Sequence, residues 1–240
     1  MTWRVPRLWE GGECWILGGG PSLPRQFEVP EEVIEQVLSK ELPLSAYSPY
    51  MASIHGKHVI GVNMAFLIGD WIDMLFFGDK KWYFTNRELV AKYRGLKVTC
   101  QPHFNKKKFV DEHIKFLAQD RNHPTGISAN PHMVAWNVNS GAAAISVAVS
   151  TGVKRIILVG FDMRLDDNKR QHWHSEYGTF GKDHKDGKKL PFHRHILGFP
   201  KIAKEAKALG VEIINASPDS AIEDFPKISV KELVNGRAQK

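Results

Sequence analysis

The sequence predicts an α/β fold, a mostly parallel sheet with helices on both faces and a polar lid segment. Three observations predict it. Short apolar runs at Trp15-Ile16-Leu17, His58-Val59-Ile60-Gly61-Val62, Met74-Leu75-Phe76-Phe77 and Ile156-Ile157-Leu158-Val159 alternate with stretches of helical spacing, the rhythm of βα units. The last run is continuously β-branched or leucine, as strands buried on both faces of a parallel sheet are. Each run then stops at glycine or a polar residue, which puts candidate ligand contacts along the edge where open α/β sheets bind ligands. The pattern is Rossmann-like.

Taken in order, Trp15 to Leu17 reads as the first strand, and Gly18-Gly19-Gly20-Pro21-Ser22 as a tight turn. Glycines that reach positive φ let backbone N–H groups approach an anion, and Ser22 adds a hydroxyl, so the turn is a candidate phosphate cradle. The alternative is a glycine-rich strand exit with no ligand: no Lys follows, as a Walker loop requires, and Leu23 stands where a dinucleotide fingerprint has its third glycine. Residues 30–42 have helical spacing with Glu31 and Glu32 in the first turn. Residues 43–58, with Pro43, Pro49 and several serines, read as a surface loop. Strands follow at 58–63 and 73–79, ending in Asn63 and Asp79, with a short helix begun at Met64 and a longer one over 79–93. Leu96 to Cys100 is a strand, and 106–117 has a helical reading.

Asn139-Ser140-Gly141 caps a small, apolar helix running to Thr151. A helix N-terminus offers free N–H groups and partial positive charge, so Ser140 and Gly141 suit a phosphate or carboxylate; an ordinary cap is the plain alternative. Residues 154–162 form a strand ending in Asp162, with Arg164 just beyond. The polar stretch 163–195 carries Asp183, His184 and His195, and alternation places His172 and His174 on one side of an extended segment, to bind metal or, when protonated, an anion, with Tyr177 nearby. A solvated loop is the alternative, since no zinc spacing is present. His193 precedes a helix over 199–209, a place from which an imidazole reaches a substrate hydroxyl as general base. A last strand spans 211–216 and a short helix starts at Val230.

At 240 residues and 42% hydrophobic content the chain suits one domain over 1–225, with 164–198 as lid or insertion and 226–240 as a tail. A formal charge of +7 favours phosphorylated or polyanionic partners, but the longest basic block is Lys106-Lys107-Lys108, which argues against a dedicated nucleic-acid binder. Cys14 and Cys100 form no paired spacing, and no signal-peptide or spanning stretch is found, so a soluble cytoplasmic protein is expected.

Together Gly18-Gly19-Gly20-Pro21-Ser22-Leu23, Val62-Asn63, Ser140-Gly141, Gly160-Phe161-Asp162 and Ser217-Pro218-Asp219-Ser220 resemble the family 42 bacterial sialyltransferases. The wider group includes hydroxymethylpterin pyrophosphokinase-like and phage-encoded proteins, and His172-Trp173-His174 looks like the phage-associated branch. The resemblance implies that Gly18, Gly19, Gly20, Ser22, Asn63, Ser140 and Gly141 line a nucleotide or nucleotide-sugar site. Counting back from Ser217-Pro218, it implies that His193 is the catalytic base. Gly19 replaces the family's loop Asn, Asp79 or Gly78 stands near a further Asn, and Arg164 falls where a phosphate-binding tyrosine is expected; Trp173 or Tyr177 takes the place of a second. Three functions follow as expectations: a glycosyltransferase-like enzyme using a nucleotide sugar; a phosphoryl or pyrophosphoryl transferase with Mg²⁺ on Asp162 and Asp79; and a non-catalytic phage-derived nucleotide-binding protein.

Overall fold

A computed structural model describes residues 2–105, 113–177 and 190–236. The strands are β1 (Glu13–Leu17), β2 (His58–Val62), β3 (Met74–Phe77), β4 (Leu96–Thr99), β5 (Ile114–Phe116), β6 (Ala118–Gln119), β7 (Met133–Val134), β8 (Arg155–Val159) and β9 (Glu212–Asn215). Seven of them form one sheet in the order β5-β4-β3-β2-β1-β8-β9, and every neighbouring pair is parallel. β6 and β7 pair separately. The chain first builds outward from β1 on one side, then returns to add β8 and β9 on the other, so strand order reverses at the β1/β8 junction. Leu17 pairs with both Gly61 and Val159, and the turns after these three strands therefore leave the sheet level with one another.

Period-two alternation sorts the strand residues into two cores. Trp15, Leu17, Val59, Leu75, Phe77, Ile157 and Val159 face one way; Cys14, Ile16, Ile60, Met74, Phe76, Ile156 and Leu158 face the other. The first core is closed by α1 (Leu23–Gln26), α2 (Glu31–Leu38), α3 (Lys80–Lys92) and, past β9, by α7 (Val230–Asn235) through Val230 and Leu233. The second is closed by α4 (Ser140–Ser150) and α6 (Phe199–Ala208), with α5 (Phe192–His195) just before α6. Seven successive α4 residues from Ala142 to Ala148 are buried, which a helix of small side chains tolerates where bulkier ones would hold it off the sheet.

Several expectations change. Residues 44–54 form a run of 3₁₀ turns whose Leu44, Tyr47, Met51 and Ile54 are buried, not a surface loop. Pro49 removes an α-helical donor, but the apolar spacing still packs the segment down. Of the helical reading over 106–117, residues 106–112 lie outside the described residues, and Ile114–Phe116 is an edge strand on β4. Through Tyr177, the polar stretch after β8 is fastened down. Arg170 reaches Asp166 at 2.7 Å and Glu35 at 2.8 Å, Arg25 reaches Asp166 at 3.6 Å, Lys40 reaches Glu176 at 3.4 Å, and Trp173 is buried. Lys106-Lys107-Lys108, Asp183 and His184 lie outside the described residues.

Candidate functional site

Above the β1/β8 junction lies a half-open cavity of about 320 Å³. Turns from the carboxyl ends of four strands reach it: Gly18, Gly19 and Gly20 after β1, Asn63 after β2, Asp79 after β3, and Asp162 and Arg164 after β8. The first turn of α4 adds Ser140 and Gly141, and the fastened segment adds His172 and Tyr177. Eleven of the residues singled out in the sequence thus meet in one space.

The glycine turn is built differently from the expected cradle, because none of its three glycines has positive φ. Gly18 and Gly20 are glycines because backbone passes too close for a side chain. A Cβ at Gly18 would lie 2.6 Å from Gly160 O, and one at Gly20 would lie 1.9 Å from Asp162 Oδ2. The turn's donors are also largely spent: Gly18 N–H bonds Val159 O and Gly20 N–H bonds Gly160 O, both at 2.8 Å. Ser22 N–H donates to Asp162 Oδ2 at 3.3 Å, and the Ser22 hydroxyl bonds that of Ser217 at 3.1 Å. Gly19 N–H makes no such bond among the described residues. Ser22 lines a neighbouring depression with Arg25 and Asp166, which shares Asp162 and Arg164 with the cavity.

At α4, Asn139 Oδ1 accepts from Gly141 N at 2.8 Å and Ala142 N at 3.2 Å. Ser140, which lines the cavity, is left to present a first-turn N–H and a hydroxyl at the positive end of the helix. Asp79 spends Oδ1 on the Trp82 N–H at 2.7 Å, capping α3. Burial raises the Asp162 carboxyl above its ordinary range, while hydrogen bonds from Ser22 pull it back. Among the described residues no three His, Cys, Asp or Glu side chains gather to hold a metal ion.

Of the four histidines in question, two line the cavity. His172 sits beside Gly19, its Nδ1 3.1 Å from Gly19 O. His195 lines the cavity from α5 together with Phe192, one turn earlier. Burial, then the charges of Arg194 and His193, depress the His195 imidazole. His193 is exposed, with Nδ1 3.0 Å from Leu190 O, and is absent from the cavity wall. His174 is buried at 5% exposure, in contact with the Trp173 and Tyr177 rings, and burial holds its imidazole well below the usual value. The Tyr177 phenol lies beside Asn63 and Trp82, and burial raises it strongly.

Three wall residues hold a left-handed backbone that non-glycine residues rarely adopt: Asn63 (φ 52°), Val138 (φ 53°) and Met163 (φ 51°). Val138 is β-branched and 50% exposed, so neither its own packing nor its residue type favours that conformation. Sequence reasoning did not single out Trp136, Val138, Met163, Phe192 and His195 as wall residues. The signal for the last two was the three-residue spacing of Phe192 and His195 just ahead of Gly198.

No protein-family profile matches the chain, and no curated protein sequence matches it. In structure the chain is similar to the sialyltransferase CstII from Campylobacter jejuni in complex with the substrate analogue cytidine-5'-monophosphate, at 14% identity over 90% of this chain and 84% of that one, TM-score 0.45. It is similar also to the same enzyme with CMP-3FNeuAc (15%, 90% and 86%, 0.47) and to the monofunctional α-2,3-sialyltransferase Cst-I from Campylobacter jejuni (16%, 91% and 80%, 0.49). Likeness of this degree concerns chain architecture alone; the site is read from its own geometry.

Proposed function

We propose that the chain is a nucleotide-sugar-dependent, glycosyltransferase-like enzyme whose donor phosphate lies between Gly19 and the first turn of α4. One observation carries the reading: anion-binding groups from β1, α4 and β8 and an imidazole depressed by burial converge on a single cavity at the strand-order reversal. In this reading Ser140 and the Gly19 N–H donate to phosphate oxygens, and Arg164 offsets their charge. Asn63 and Asp79 meet the polar edges of nucleoside or sugar. His195, neutral near pH 7, accepts the acceptor hydroxyl's proton as its oxygen bonds the anomeric carbon. The bond from that carbon to the phosphate oxygen breaks, its electron pair leaves with the phosphate, and the fixed donors receive the charge.

Isothermal titration with CMP, UMP, GMP, AMP and their sugars tests the site. Binding by one of them, weakened at least about tenfold by Ser140→Trp, is expected, whereas silence across the panel overturns the reading. With a donor in hand, His195→Ala is expected to keep affinity and lose about 10²–10⁴ in transfer rate. If His193→Ala carries that loss instead, the base is His193. Magnesium-dependent phosphoryl transfer on Asp162 and Asp79 is the competing reading, less favoured because Asp79 is engaged as a helix cap; turnover abolished by a chelator would select it. A non-catalytic phage-derived binder would show affinity with no turnover for either histidine to affect.

A further inference from the structure

We propose that Trp173 is a positioning residue for the anion site: its indole N–H holds the Gly18–Gly19 peptide in the orientation that turns the Gly19 N–H toward the cavity. The proposal rests on the reading of a donor phosphate beside Gly19 and names the side chain that prepares that place. It begins with the missing positive φ. A glycine turn without left-handed residues does not by itself aim its N–H groups at one point, so another contact sets its peptides. A trans peptide is planar, and no cis bond occurs among the described residues, so Gly18 O and Gly19 N–H point in opposite directions across one plane. Whatever fixes that oxygen fixes that N–H.

Trp173 fixes the oxygen. Its indole Nε1–H donates to Gly18 O at 2.9 Å, and the next carbonyl, Gly19 O, accepts the Trp173 backbone N–H at 3.3 Å and lies 3.1 Å from His172 Nδ1. Two successive carbonyls, the negative ends of their peptides, are thus drawn to the fastened segment. The indole is itself held: Trp173 is 2% exposed, its ring meets those of Tyr47 at 5.7 Å and His174 at 4.7 Å edge-on, and Tyr47 donates to Trp173 O at 3.3 Å. Trp173 lies in the first core and forms no part of the cavity wall, whereas Gly19 does. The Gly19 N–H, opposite the oxygen that Trp173 holds, therefore leaves the core on the cavity side. The N–H groups of Gly18 and Gly20 go to Val159 O and Gly160 O, and a Cβ on Gly19 would meet no described atom within 4 Å beyond two of the His172 ring. An anion there meets a donor already in place, which spares the cost of turning the peptide at the moment of binding.

Sulfate is the probe, read through the Gly19 amide by NMR of the full chain with glycine-selective nitrogen labelling, the signal assigned by its loss in Gly19→Ala. The expected result in the wild type is a saturable downfield shift of the Gly19 amide proton. Trp173→Phe, which lacks the indole N–H, is expected to bind sulfate about tenfold more weakly and to lose most of that shift. Val37→Ala, from α2 in the same core, controls for lost stability and is expected to keep both the affinity and the shift. Should Trp173→Phe not fold, benzothienylalanine placed at position 173 keeps the two-ring shape without the N–H, and the same losses are expected. A Gly19 amide that sulfate does not move in the wild type, or moves equally in the variant without the N–H, overturns the proposal. Nucleotide binding in either case leaves the nucleotide-sugar reading standing. A sulfate response that depends on Trp173, with silence across the nucleotide panel, sinks that reading and sustains the role of Trp173.

Discussion

A methyl group at Gly20 would meet a buried carboxylate oxygen at 1.9 Å and the Gly160 carbonyl at 2.7 Å, whereas at Gly19 it would meet only His172 Nδ1 at 3.3 Å. Neither obstacle at Gly20 can swing away. Gly20→Ala is therefore expected to cost at least about 2 kcal/mol in urea unfolding and Gly19→Ala under about 1, a contrast that a turn made of glycine for its φ freedom would not give. His174 supplies a pH signature. Its folded-state pKa is depressed by burial, so below its unfolded value of about 6.5 the unfolded chain binds the extra proton and stability falls as pH drops toward the depressed value. Unfolding free energies from urea melts at about pH 5 and 7 should differ in the wild type by up to about 1.4 kcal/mol per pH unit more than in His174→Asn, whose Oδ1 still accepts the Glu176 N–H. Equal slopes would mean that His174 charges freely in the fold. These partners were invisible in the sequence, because the His172 to Gly19 and Trp173 to Gly18 contacts join residues 153 and 155 positions apart.

At the level of elements, α4 depends on one residue outside it. Asn139 caps two N–H groups and its Nδ2 also donates to His195 O at 3.3 Å, which ties the helix start to α5. Asn139→Ala is expected to cost about 1–2 kcal/mol in thermal or urea unfolding, the upper end of cap losses, and to weaken nucleotide binding as well. An unchanged stability would show that the cap is replaceable. The cap and the small-residue run were both legible, since capping chemistry is local. By contrast, β5 is three residues long at the sheet edge, below the length at which alternation is distinguishable from helical spacing. The 3₁₀ stretch over 44–54 carried proline and serine like a loop, and only its contacts reveal that it is packed.

For the whole molecule, the sheet and both of its faces were readable from apolar runs, because strands buried on two sides leave little room for other residues. The cavity was readable only as far as strand ends go. Gly18, Asn63, Asp79 and Asp162 announce themselves at such ends and Ser140 at a helix start, while the identity of the facing imidazole depends on how a four-residue helix turns. Parallel pairing has one more consequence, which concerns synthesis. β1 lies between β2 and β8, so the ribosome delivers one neighbour early and the other only after the chain has passed Arg155. Until then the nascent β1 offers a bare row of peptide groups to any passing strand. Chains cut after Ser150 are expected to accumulate in inclusion bodies, and supplying residues 151–240 as a separate fragment during expression should return some of them to solution.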